Sequence, residues 1–198
     1  MEGFKVIRRS DLVATEWSGG SLTQLYIHPD PSRYEDRDFL FHIATATVEL
    51  EESTFSDLTG YTRIIMTLDH PLELIHNGSL PVRLNKFEPH VFDGGAKTVS
   101  RGRVTDFNLV LKTGACSGEL KALTLPPGRR WPFGGRDRVM EVIYCFRGEG
   151  VFQGTPEAAL RPGDLAVLDH GLMDRVGDFL NNGSGDCELI VSTVALPE

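Results

Sequence analysis

Few side chains in this sequence have the type and the setting to do chemistry. Arg63 stands two residues after Tyr61, at the head of the apolar run Ile64 to Leu68. A guanidinium there has two readings. It is a surface cation paired with one of the chain's 28 acids, or a cavity cation that forks two donors onto a carboxylate. His42 alternates with Phe41 and Ile43, so on a strand it faces away from them. It is either a hydrogen-bonded packing residue or a ligand contact. Trp17 is followed by Gly19 and Gly20. A glycine pair lets backbone N–H groups approach an anion as a small nest; the plainer reading is an aromatic packed beside a turn. Asp106-Phe107-Asn108 precedes the apolar LVLK segment. Asp and Asn at a strand entrance either satisfy nearby backbone groups or reach a ligand, with Phe107 turned to the core.

Other chemistries find no footing. Ser18, Ser56 and Ser100 lack a nucleophile-elbow context, no cysteine has an adjacent His, and no GxxxxGK[ST] sequence occurs. Cys116, Cys145 and Cys187 are odd in number and far apart, which suggests neither a disulfide framework nor a zinc knuckle. His28, His70, His76 and His90 sit beside Pro, Asp or Asn and read as solvated turn residues. Arg129-Arg130-Trp131 resembles a nucleic-acid patch only superficially, because 28 acids against 20 bases give a formal charge of -8. That field repels phosphate backbones and anionic lipid surfaces. No apolar run reaches eighteen residues and the first residues lack a secretory apolar region, so the expectation is a cytoplasmic chain with no nucleic-acid or membrane partner.

The elements that must position these groups are strands. Phe39 through Leu50, Ile64 to Leu68, Phe107 to Leu111, Leu120 to Leu125, Val139 to Phe146, Asp164 to Leu168 and Cys187 to Val194 are β-forming runs, most of them bounded by turn residues. Asn77-Gly78 predicts a turn with positive φ at both residues. The best helical signal is Gly171 to Leu180. A weak internal repeat sets Glu141 78 places after Arg63, with Leu68 on Phe146, Leu74 on Phe152 and Val82 on Leu160. A boundary near residue 115 would divide the chain into units 1–115 and 116–198.

Glu141, Gly148 and the LRPGD segment Leu160 to Asp164 resemble the motifs of a cupin. The resemblance implies metal-ligand positions at Gly134, Arg136, Glu141 and Ala166. The repeat sets their counterparts at Ser56, Leu58, Arg63 and Glu88. None is a histidine and two are guanidinium groups, so no metal or other cofactor is expected.

The first half is more specific. Trp17, Gly19, Gly20 and Thr23, then Ile43, then Phe55, Ser56, Gly60 and Arg63, then Phe92 and Gly94, then Asp106, Phe107 and Asn108 fall in an order that resembles the HutD/Ves family. That family usually carries Trp-Arg where this chain has Phe41-His42, which replaces a permanent charge with one that titrates near neutrality. The resemblance implies an all-β bicupin, two antiparallel β-barrel or jelly-roll units with few short helices, expected to form a homodimer. It further implies a metal-free small-molecule-binding protein that takes a carboxylated metabolite, such as urocanate or N-formylglutamate, in the first unit. Arg63 would be the anion clamp. Trp17, Phe55 and Phe92 would be apolar walls, and Gly19, Gly20, His42, Ser56 and Asn108 the remaining contacts. The alternative is a metal-independent isomerase, epimerase or lyase with His42 as acid/base and Arg63 as oxyanion stabiliser. A third reading is a metal dioxygenase with unrecognised ligands. In the first two readings the second unit, with Glu141 and Arg136 paired inside, is structural or dimer-forming.

Overall fold

The computed structural model describes residues 3–133, 139–154, 157–169 and 177–197. Among them the chain is strand almost throughout, with a single 3-10 turn, Arg9–Asp11. The N-terminal strand is β1 (Phe4–Ile7). There follow β2 (Ala14–Trp17), β3 (Gly20–His28), β4 (Phe41–Val48), β5 (Glu52–Thr54) and β6 (Tyr61–Thr67). Then come β7 (Leu72–His76), β8 (Val82–Leu84), β9 (Pro89–Asp93), β10 (Thr98–Arg101) and β11 (Val104–Lys112). The rest are β12 (Ser117–Leu125), β13 (Arg130–Pro132), β14 (Val139–Arg147), β15 (Gly150–Gln153), β16 (Ala158–Leu160), β17 (Leu165–Asp169), β18 (Asp178–Leu180) and β19 (Cys187–Ala195). Among the described residues no helix is long and apolar enough to cross a membrane.

Two compact units emerge. One is Val13–Leu120; the other combines Met1–Leu12 with Lys121–Glu198. The first holds a six-stranded sheet in the order β2-β3-β4-β11-β6-β9 and a four-stranded sheet β5-β10-β7-β8. The second holds a five-stranded sheet β1-β17-β14-β19-β12 and a four-stranded sheet β13-β18-β15-β16. Each unit is thus a pair of open sheets, not the closed barrel expected from the cupin resemblance. The strand alternation that made the fold legible reports which faces are buried; it carries no signal for whether the first and last strands meet.

The sheet orders repeat. Every strand from β4 to β11 has a counterpart eight strands later in the equivalent place, so β11 lies between β4 and β6 as β19 lies between β12 and β14. What differs is the added edge. The first unit gains β2 and β3 beside β4, whereas the second gains β1 beside β17. The N-terminal strand therefore completes the second unit's sheet, pairing Phe4 with Leu168 and Ile7 with Leu165. Asp164 clamps the same segment by accepting from Arg8 Nη1 at 2.8 Å and from the Arg9 amide at 3.0 Å.

The cores follow from the alternation. In the second unit Ile143, Cys145, Phe152, Leu160, Ala166, Leu168, Phe179, Leu189 and Val191 form one buried apolar cluster drawn from both sheets. The first unit's corresponding cluster is smaller: Ile65, Leu72, Leu74, Leu84, Phe92 and Val104. The Asn77-Gly78 turn is present, with φ of 52° and 72°, closed by the Ser79 amide donating to the His76 carbonyl. The helical expectation over Gly171 to Leu180 fails where it is visible. Asp178–Leu180 is a strand pairing with β13 and β15, and Phe179 is drawn into the apolar cluster. Burying that ring outweighs a marginal two-turn helix. Residues 171–176 lie outside the described residues, as do Gly134 and Arg136, and with Arg136 the expected Glu141–Arg136 pair.

Candidate ligand cavity of the first unit

Register assembles the site on one face of the six-stranded sheet. Residues opposite one another on paired strands share a face, and the next row lies two residues on. Val110 of β11 sits opposite His42 of β4 and Arg63 of β6, which in turn faces Phe92 of β9. The next row runs Gln24, Ala44, Asn108, Ile65. The one after it runs Leu22, Ala46, Asp106, Thr67. His42, Gln24, Asn108, Asp106 and Arg63 are thereby placed on the same surface. A bulge between Gln24 and Tyr26 shifts the register of β3 beside the site.

These rows floor a cavity of about 460 Å³ lined by Thr15, Trp17, Leu22, Gln24, Tyr34, Glu35, His42, Ala46, Ser53, Thr54, Phe55, Ser56, Arg63, Asp106 and Asn108. The size suits a small metabolite. Phe55 and Ser56 follow β5 in the opposing sheet, where the Phe55 amide donates to the Thr98 carbonyl at 3.0 Å. Phe55 thereby lies over the Arg63 guanidinium, 4.5 Å from ring centroid to Cζ, with the Phe92 ring at 5.4 Å. Tyr34 similarly covers His42, ring centroids 4.8 Å apart.

The electrostatics are built around Arg63. Its Nη2 donates to Asn108 Oδ1 at 3.0 Å, and Asn108 Nδ2 donates to Asp106 Oδ1, so the amide links guanidinium and carboxylate. Arg63 Nε is buried and has no partner. Burial lowers the Arg63 pKa from its ordinary value, opposed by Tyr34 and Asp106, yet a guanidinium stays charged in any such setting. Asp106 is pushed up to about 7, by burial first and against the pull of Arg63 and the Asn108 hydrogen bond. It therefore carries only a partial charge at neutral pH, so it neutralises Arg63 incompletely.

His42 corrects one expectation. Burial, then Arg63 and Arg37, drive its pKa down to about 4, so it is neutral at pH 7 instead of titrating there. Its Nε2 meets Gln24 Oε1 at 3.2 Å, while Nδ1 is buried without a partner. A base this weak has little proton affinity at neutral pH, which removes support for His42 as an acid/base catalyst.

Of the residues singled out from sequence, Trp17, His42, Phe55, Ser56, Arg63 and Asn108 meet at the cavity. Phe92 stands behind the lining, against Phe55 and Arg63. Gly19 and Gly20 also stand outside the lining, and their absent side chains have packing reasons. A Cβ on Gly19 would lie 2.1 Å from the Trp17 ring. On Gly20, at φ +143°, it would lie 1.9 Å from the Thr47 carbonyl oxygen. Sequence reading passed over Gln24, Tyr34 and the central place of Asp106. For Asp106 a signal existed, since it lies two residues from Asn108 and so shares its face. His76 and His90, read as solvated, are half-buried and joined Nε2 to Nε2 at 3.0 Å, with His76 Nδ1 on Thr98 Oγ1 at 2.8 Å.

The cupin metal positions do not suit an ion here. Leu58 and Ala166 are buried aliphatic residues, Arg63 is a cation, and Glu88 accepts from the Asn85 amide at the surface. Among the described residues no three His, Cys, Asp or Glu side chains are grouped to hold a metal.

Solved structures share this architecture. A conserved protein of unknown function from Pseudomonas aeruginosa PAO1 superposes with a TM-score of 0.78 at 22% identity, over 98% of this chain and 99% of that one. HutD from Pseudomonas fluorescens SBW25 gives 0.71 at 22% identity, over 96% and 97%. The bacterial pirin YhhW from Escherichia coli, solved with nickel(II), gives 0.76 at 8% identity, over 98% and 100%. A cupin 2 conserved barrel domain protein from Leptotrichia buccalis is similar in fold as well. No curated protein sequence matches the chain. The HutD family model matches residues 9–180, nearly the whole length over which the cavity and both sheet pairs are built, and the chain belongs to the HutD family.

Proposed function

We propose that this all-β, cupin-type protein is a bicupin that captures a small carboxylated metabolite in the cavity of its first unit, with Arg63 as the anion clamp. The observation that carries the reading is a guanidinium held on the cavity wall by Asn108, its Nε unpaired, beside a carboxylate that is only partly ionised near pH 7. A cation in such a place favours a carboxylate guest, because water competes weakly and the geometry is fixed in advance. Trp17, Phe55 and Tyr34 supply apolar walls; Ser56 and Asn108 supply polar contacts. The HutD/Ves resemblance further implies a role in modulating histidine utilisation, which makes the histidine-degradation intermediates urocanate and N-formylglutamate the guests to try. In this reading the protein is a cytoplasmic homodimer that works without a metal and has neither a nucleic-acid nor a membrane partner.

The test is a thermal-shift titration with urocanate, N-formylglutamate and glutamate against wild type and Arg63→Ala. An acid at a hundredfold excess over Kd raises stability by about 2.7 kcal/mol. The reading expects that gain in wild type and its loss in Arg63→Ala. Equal shifts in both proteins overturn it.

A further inference from the structure

The unpartnered nitrogen of His42 narrows the class of guest. His42 is 3% exposed and lines the cavity; with the Gln24 amide turned so that its oxygen meets the ring Nε2 at 3.2 Å, the proton sits on Nε2. Its Nδ1 is therefore a bare acceptor, buried and met by no donor of the protein. Leaving a buried acceptor unpaired is costly, and native interiors rarely tolerate it. From the same wall, Arg63 presents only donors. His42 and Arg63 lie opposite the same residue, Val110, one on each neighbouring strand. One small molecule in the cavity between them thus meets a cation on one side and a neutral acceptor on the other.

We propose that the guest is a carboxylic acid carrying its own N–H or O–H donor, whose carboxylate lies on Arg63 and whose donor lies on His42 Nδ1. This inference rests on the carboxylate reading above and adds the second pole. A simple carboxylate lacking a donor engages Arg63 and leaves Nδ1 unpaired. A dicarboxylate with no donor of its own, such as glutarate, offers Nδ1 nothing but a second anion. A donor-bearing acid satisfies both, and the site discriminates by the unpaired group it would otherwise retain. Tyr34, half-buried on the loop over His42, shields the ring.

Two matched pairs test this: 2-hydroxyglutarate against glutarate, and urocanate against 3-(2-furyl)acrylate, each titrated calorimetrically into wild type, His42→Phe and Arg63→Ala. The donor-bearing member of each pair binds wild type at least tenfold more tightly, and the preference vanishes in His42→Phe while the requirement for Arg63 remains. Nitrogen-15 NMR of histidine-labelled wild type gives the same answer without a substitution, since the His42 Nδ1 resonance moves on adding the donor-bearing acid and stays in place with its partner. Equal affinities within each pair, or a preference that survives in His42→Phe, overturn the inference and leave the Arg63 clamp standing. Binding of the acids that is indifferent to Arg63→Ala, or no binding by any of the four, removes the clamp and this inference together.

Discussion

The two units repeat a topology and fill it in opposite ways. On the inward face of the first, the row opposite Ile65 carries Asn108 and the next row carries Asp106. In the second unit Ile143 faces Val191, and the residue two places earlier on that strand is Leu189. Phe92 and His90, opposite Arg63 and Ile65, have Leu168 and Ala166 as counterparts, opposite Glu141 and Ile143. Leu168, Ala166, Val191 and Leu189 all belong to the buried apolar cluster. The same strand order therefore carries a polar, cavity-lining patch beside a small apolar cluster in the first unit, and at the matching rows of the second a larger apolar cluster. The lesson is that the sheets are indifferent to what lies between them. The difference between the units lies in a few inward positions, polar in the first and apolar in the second.

The sharpest way to break this comparison is to move a polar residue across it. Leu189→Asp puts into the filled core the group its counterpart Asp106 provides in the cup. An unpaired carboxylate there costs about 4 kcal/mol or more, seen as a collapse of the urea midpoint. A midpoint unchanged within error would show that the second core tolerates charge and that the contrast is accidental.

Next in size is the pH dependence of the cup. Asp106 has its pKa raised from 3.8 to about 7, so its contribution to stability is complete below its unfolded value and is lost as pH rises through about 7. His42, lowered from 6.5 to about 4, works the other way: its contribution is complete above 6.5 and is lost as pH falls through about 4. Asp106→Asn removes only the first of these. Relative to wild type it gains about 3 to 4 kcal/mol on going from pH 4 to pH 8, measured as the difference between the two stability curves. A pH-independent difference would mean that Asp106 is ionised throughout and that the Arg63 charge is already cancelled.

The smallest effect falls at the added edge of the second unit. Arg8→Ala deletes one partner of Asp164 but leaves the Arg9 and Arg161 amides on the carboxylate. The half-exposed ion pair is worth about 1 kcal/mol or less. A larger loss of thermal stability would show that β1 is pinned by this contact and not by its pairing with β17.

Much of the fold was legible because strands advertise their faces. Alternation of β-branched and aromatic residues marks Phe39 through Leu50 and Phe107 to Leu111, which fold as Phe41–Val48 and Val104–Lys112, and Asn77-Gly78 is legible from its tolerance of positive φ. The repeat is legible as matched apolar positions 78 residues apart, and the sheet orders recur in the two units. Phe4–Ile7 was illegible as part of the second unit, since pairing across some 160 residues leaves no local mark. Within the site, Arg63, His42 and Asn108 were found through order of motifs. Gln24 and Tyr34 were not, because a bulge and a loop bring them in. The pKa of His42 was misjudged because burial and two neighbouring cations are tertiary facts.

The most direct test is a crystal structure of the wild-type protein with urocanate or N-formylglutamate bound. The account predicts the ligand carboxylate within about 3 Å of the Arg63 guanidinium, inside the cavity walled by Phe55 and Trp17. Density for the acid elsewhere, or an Arg63 side chain turned to bulk water while the acid is held by other groups, would contradict it.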